Sequence, residues 1–203
     1  MTAIMDAHNR IESFASITSL MLFGLLAVVG SASMGADTIE PMFPNPKRCS
    51  SIDRFTQCSP EDIDRVEKEL NVRFPNDYRK YLLERNSISL KDAYFRGKGR
   101  SLEVGAIYGV NPEHIPVMYD VRHGQIAYEF KERVPAGIIK IGHSVSGYHA
   151  ICISTRKADF GRVFFWDPQV PWEDGPNVQT MQYLKPLAKS FQEFWDSLAF
   201  GDS

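Results

Sequence analysis

Hydroxyl, imidazole and thiol groups crowd one short run of this 203-residue chain: Gly142-His143-Ser144-Val145-Ser146-Gly147, with His149 and Cys152 just beyond it. A serine between glycines is what a nucleophile elbow needs, because its sharp strand-to-helix turn tolerates no bulk. Here the final glycine falls one position late for G-x-S-x-G, and the residues that follow read as a strand. His143 and His149 stand six apart across an expected turn, a spacing with no common metal-site counterpart, and no carboxylate cluster lies beside them. Cys152 with His149 is a second nucleophile–base pairing, but Cys152 alternates with apolar neighbours and reads as a small core residue. Gly97-Lys98-Gly99-Arg100-Ser101 lacks the GxxxxGK[ST] spacing that wraps phosphates. No carboxylate pair is spaced for glycoside hydrolysis. The residues argue against catalysis and imply no cofactor and no metal; a hydrolase using Ser144 or Cys152 is the lesser alternative.

The elements that would position this run follow from its surroundings. Ile138–Ile141, His149–Ile153 and Arg162–Trp166 are rich in β-branched and aromatic residues, punctuated by Gly142, Gly147 and Gly161. Their short spacing predicts an antiparallel meander. Leu102–Val110 predicts a further strand, and Tyr119–Phe130 reads as either a helix or an irregular strand pair. Ser59-Pro60-Glu61-Asp62 is a helix start, with Ile63, Val66 and Leu70 as its apolar stripe and Asn71 as its end. Phe74-Pro75 opens a second helix that carries Tyr78, Tyr81 and Leu82 on one face. Leu187, Phe191, Phe194, Trp195 and Leu198 fall at helical spacing and predict an amphipathic helix over Pro186–Phe200, stopped by Gly201. The expectation is an α+β fold: an antiparallel sheet of about five or six strands, two N-terminal helices and one C-terminal helix packed on it.

Residues 59–200 form the expected domain, and residues 37–58, which include Pro41, Pro44 and Pro46, read as a linker. Within residues 1–36, Leu20–Val29 is an apolar run followed by small residues, too short to make a stable membrane span. It reads as an export signal, as an upstream extension with the start at Met21, Met34 or Met42, or as a docking helix. Asp6, Arg10 and Glu12 deny it the positive excess of a signal's n-region. A cytoplasmic domain is expected, or an exported one if the run is a true signal. Cys49 and Cys58 could pair only in an oxidising compartment. A net charge of −2 gives no push toward nucleic acid. The stretch from Arg79 to Arg100 is locally basic, and reads as a solvated face and hairpin turn or as a patch for an acidic partner.

Five blocks in order carry a resemblance. Phe74-Pro75-Asn76-Asp77-Tyr78 with Tyr81-Leu82 resembles the "P-x-D-Y-x-x-F-L" helix of the SUKH superfamily, which includes bacterial immunity proteins and fungal Knr-type cell-wall regulators. Pro135–Gly142 is similar to its "P-x-G-x-I-x-I-G" strand, and His149–Ser154 and Gly161–Asp167 are similar to the next two strands. Leu187–Phe194 resembles the closing "L-A-x-S-F-x-E-F" helix. The chain departs from the pattern at Gly147-Tyr148, where the family usually has Gly-Asp, and at Asn86-Ser87, where it commonly has Asn-Gly.

The resemblance implies a non-enzymatic protein-binding domain, most often one that neutralises a cognate bacterial toxin by covering its active site. Acids would stand in for substrate phosphates if the toxin is a nuclease. The alternative is a regulatory or scaffold module of the cell-wall regulator type. Candidate partner-binding residues are Trp172, Glu173 and Asp174, an aromatic anchor beside acids, together with Asp167 at a strand end and Tyr148 in place of the family's aspartate.

Overall fold

Ser59 opens the first helix of the structure, a computed structural model that describes residues 42–43, 57–97, 100–110, 113, 117–125, 133–168 and 179–201. Its hydroxyl accepts from the Asp62 N–H at 3.1 Å, and the Asp62 carboxylate accepts from the Ser59 N–H at 2.9 Å, a reciprocal cap at the start of α1 (Pro60–Leu70). The Ser59 amide holds the Asp62 carboxyl below its usual range. Asn71 closes the helix in the left-handed region at φ 53°. Buried Glu67 accepts from the Phe74 N–H and from Arg79 Nη1, both at 2.6 Å, while Arg79 Nη2 reaches Asp64 at 2.7 Å. These contacts fix the turn into α2 (Asn76–Glu84).

Asp77 explains why an aspartate belongs at the start of α2. One carboxylate oxygen accepts from the Tyr78 N–H at 2.9 Å and the other from the Gln192 N–H at 3.0 Å. Gln192 lies in the first turn of the C-terminal helix α4 (Phe191–Asp196), so one side chain takes a first-turn N–H of its own helix and fastens another helix to it. Beneath them the rings interlock. Tyr81 lies 4.9 Å from Phe191 and 5.3 Å from Trp195, and Phe43 meets Tyr81 edge-on at 5.6 Å. Phe43 is fully buried and is clamped by Glu84 and Arg85, which take its N–H (3.1 Å) and carbonyl (2.6 Å). Burial therefore reaches back into the stretch that the sequence assigns to a linker.

The helices cover an eight-stranded sheet in which all neighbours are antiparallel. The strands are β1 (Ile88–Ser89), β2 (Ala93–Gly97), β3 (Arg100–Ile107), β4 (Ile138–Ser144), β5 (Ala150–Ser154), β6 (Val163–Trp166), β7 (Leu184–Ala188) and β8 (Leu198–Phe200). Their order is β7-β6-β5-β4-β3-β2-β8, with β1 also paired to β3. A short helix α3 (Val121–Gly124) follows a 3-10 turn at Val117–Tyr119. The α+β class and the meander stand as expected; the sheet is wider because β1, β2, β7 and β8 carry no strand signal of their own in the sequence.

The expected helix over Pro186–Phe200 is corrected: it is three elements, β7, α4 and β8. Leu187 to Leu198 mimic one stripe because strand and helix both turn these side chains inward. The break is made by Ser190, whose hydroxyl accepts from the Glu193 N–H at 3.1 Å while Glu193 takes the Lys189 N–H at 2.8 Å. Pro186 is tolerated because β7 is an edge strand. Asn86, at φ 58° and fully buried, bonds both backbone groups of Val110 at 2.8–2.9 Å, so the chain turns into β1 without the glycine that often follows.

Both faces of the central strands are packed. Ile139, Ile141, Ile151 and Ile153 join the helices' core, whereas Ile138, Ala150, Cys152, Phe164, Trp166 and Leu184 form a smaller core on the other side. Among the described residues no helix is long and apolar enough to cross a membrane. Leu20–Val29 and Cys49 lie outside the described residues.

Trp195→Ala is expected to cost about 3–5 kcal/mol, seen as a lower denaturant midpoint; an unchanged midpoint would remove Trp195 from the core. Burial pushes the Cys58 thiol up to about 12 and the Cys152 thiol up as well. Iodoacetamide near the ordinary thiol pKa of about 8.5 is therefore expected to spare both in the folded protein and to alkylate both in denaturant, by peptide mass mapping. Rapid native labelling of Cys152 would contradict its burial.

Candidate partner-binding surface

The hairpin between β4 and β5 gathers most of the sequence's chemical groups, and its backbone shows what they do. The Ser144 N–H donates to the His149 carbonyl at 3.1 Å, and the Gly147 N–H donates to the Ser144 carbonyl at 2.8 Å. Gly147 sits at φ 75°, open to a glycine without strain. Above the strands, Ser144 Oγ lies 2.8 Å from Ser146 Oγ and 3.2 Å from His149 Nδ1, and His149 Nε2 lies 3.7 Å from Asp167 Oδ1. Serine, histidine and aspartate thus fall in line.

The line lacks what acyl transfer needs. Ser144 is only 4% exposed, and its hydroxyl is shared between Ser146 and His149. The Val145 N–H, the amide an elbow would aim at an oxyanion, donates to the Glu103 carbonyl at 3.1 Å. At 3.7 Å the His149–Asp167 contact is too long for an orienting hydrogen bond. The cluster knits the hairpin to β3 and to the end of β6.

His143, next along β4, faces the other way, as strand alternation requires. Its Nδ1 lies 3.1 Å from the Tyr108 hydroxyl, and its ring stacks on Tyr119 at 6.1 Å. Burial, and then neighbouring Lys140, push its pKa below the ordinary histidine value. Lys140 Nζ stands 5.8 Å from the centre of the Tyr108 ring, and burial lowers its pKa too. The Lys140 backbone is held by Gln125, whose amide takes its N–H at 3.0 Å and gives to its carbonyl at 2.8 Å. Asp120, gripping Arg122 through its N–H (2.7 Å) and guanidinium, sets α3 in place, and Arg122 reaches on to Glu69 of α1 at 2.9 Å. Gly124 has no side chain because a Cβ there would meet the Tyr108 ring at 2.8 Å.

Between these elements is a cavity of about 390 Å³, whose walls include Tyr108, Met118, His123, Lys140 and His143, and whose edge is Gly147. Exposed apolar side chains neighbour two of its lining residues, Met118 and Gly147, in the chain. Val117 and Met118 are 60% and 62% exposed, and Val145 and Tyr148 at the hairpin tip are 52% and 67% exposed. Few other large apolar side chains among the described residues are as exposed as these. Exposed apolar groups of this kind are the material from which docking surfaces are made.

Of the residues singled out in the sequence, Asp167 is brought to 3.7 Å from His149, and Tyr148, next to His149 in the chain, is exposed. Trp172, Glu173 and Asp174 lie outside the described residues. His143, Ser144 and His149 are not gathered around one void. Two arginines of the basic stretch are committed internally, Arg79 to Glu67 and Asp64, and Arg85 to the Phe43 carbonyl; Lys98 and Gly99 lie outside the described residues. Sequence reading missed Val117, Met118, Tyr108 and Lys140, since no periodicity or motif sets them apart. Among the described residues no group of three or more His, Cys, Asp and Glu is placed to hold a metal ion.

Comparison with known proteins agrees with the architecture. The sequence profile of the SMI1 / KNR4 family (SUKH-1) matches residues 57–197. A similar protein is "Uncharacterized protein YnaB" of Bacillus subtilis (strain 168), 25% identical over 122 residues that span 60% of this chain and 69% of that protein. The match runs from just before the capped start of α1 to the end of α4 and takes in every strand except β8, and on that extent the chain belongs to the SMI1 / KNR4 family (SUKH-1).

Proposed function

We propose that this chain is a non-catalytic protein-binding domain that neutralises a cognate protein toxin by covering its active site. The observation that carries this reading is the exposure of Val117, Met118, Val145 and Tyr148, apolar side chains on the two segments that bring Met118 and Gly147 to the cavity wall. Exposed apolar groups lose water on docking and have no role in the domain's own core. Family membership supports a protein partner, and the engaged amides around Ser144 support binding over turnover. In this reading the domain acts in the cytoplasm, and the nuclease version, with acids replacing phosphates, draws on Asp167, Glu173 and Asp174.

The test is co-expression with the candidate toxin encoded beside its gene, scored by growth rescue and by affinity of the purified pair. Tyr148→Ala and Met118→Ala are each expected to weaken binding by about 2 kcal/mol, roughly 30-fold, with melting temperature unchanged. Affinity untouched by both would move the interface elsewhere. Ser144→Ala is expected to leave rescue intact. Turnover of a p-nitrophenyl ester that this substitution abolishes would replace the reading with a hydrolase.

A further inference from the structure

We infer that the cavity under the β4–β5 hairpin receives a carboxylate side chain from an acidic segment of the protein partner, with apolar residues flanking that acid. This rests on the protein-binding reading above and adds the chemistry of what is bound.

The charge argument comes first. Lys140 is partly buried at the cavity wall and forms no ion pair with any carboxylate among the described residues. Its visible compensation is the Tyr108 ring at 5.8 Å. An ammonium taken partly out of water without a counter-charge is disfavoured, and burial does pull its proton affinity down. Among the described residues no acidic side chain lines the cavity, and two imidazoles, His123 and His143, do. An incoming carboxylate would supply the missing charge.

The hydrogen-bond inventory points the same way. Tyr108 and neutral His143 together hold two donors, one O–H and one ring N–H, and their mutual contact at 3.1 Å uses one. In either tautomer one donor is left over. With Lys140 it makes a pair of donors in one cavity, which suits the two oxygens of a carboxylate.

The exposed apolar residues next in the chain to the lining residues Met118 and Gly147 argue for a peptide over a small free anion. Val117, Met118, Val145 and Tyr148 offer contact area to the residues beside the acid, and a cavity of about 390 Å³ is large for one carboxylate alone. Among the described residues, the groups that line the cavity and can titrate are Tyr108, His123, Lys140 and His143.

Amide chemical-shift titration of the whole chain with the blocked peptides acetyl-Leu-Glu-Leu-amide and acetyl-Leu-Gln-Leu-amide tests this, with free glutamate and inorganic phosphate as controls. The Glu peptide is expected to shift Met118, Lys140, His143 and residues 145–148. The Gln peptide is expected to bind about tenfold more weakly, the size of one charge-assisted hydrogen bond. Both controls are expected to bind more weakly than the Glu peptide, and Lys140→Met to lose the Glu-over-Gln preference. Equal binding of the two peptides would overturn the inference, as would a free anion binding as tightly as the peptide, or no shift at these residues. The peptide comparison uses the unaltered chain, so it decides the matter even if Lys140→Met fails to fold. Toxin neutralised equally well by a folded Lys140→Met would sink this inference and leave the binding reading intact; peptide preference without any toxin rescue would do the reverse.

Discussion

The central strands β4 and β5 are packed on both faces, with isoleucines toward the helices and Ile138, Ala150 and Cys152 toward the smaller core. A strand covered on both sides cannot slip by one residue without driving each inward side chain to the wrong layer. Register is therefore fixed at the place where it matters, because the hairpin that joins these two strands carries Val145 and Tyr148. The helices contribute by holding the upper layer still: Asp77 fastens α2 to α4, and Arg122 ties α3 to α1. Stiffness in the hairpin is inherited from this double burial.

The Ser144–His149–Asp167 line shows how proximity differs from catalysis. Hydroxyl, imidazole and carboxylate within a few ångströms meet only the first demand of acyl transfer. The others are an accessible oxygen, a base oriented by a true hydrogen bond, and amides left open for negative charge. Here the backbone of the hairpin has already claimed the amides for turn and strand contacts. Ser144, Ser146 and His149 satisfy one another's polar atoms across the turn, as partly buried polar groups must.

Local signals in the sequence were read well, and signals shared between distant segments were not. The cap at Ser59, the left-handed Asn71 and the glycine-punctuated strands are each written in a few adjacent residues. The Ser190-Phe191-Gln192-Glu193 cap was equally local, but the aromatic stripe across it suggested one long helix. Phe43 appears to the sequence as a lone aromatic among prolines, and only the assembled rings of Tyr81, Phe191 and Trp195 give it a socket. The cavity is wholly tertiary: Tyr108, Met118, His123 and Lys140 come from four segments with no common pattern. Tyr148 stands out in the sequence only as a departure from a family motif, since no local physical pattern marks it.

The two ends of the sheet bear on how such a domain can recruit another chain. One end, β7, contains Pro186 and meets a bulge between Val163 and Phe164; the other, β8, is three residues long. Interrupted or stubby margins make poor templates for an added strand. Capture by backbone zippering, the commonest shortcut to affinity with little sequence preference, is thereby discouraged at both borders. Discrimination is left to side chains, so two related copies could diverge in whom they recognise by changing a handful of surface residues while the framework beneath stays the same.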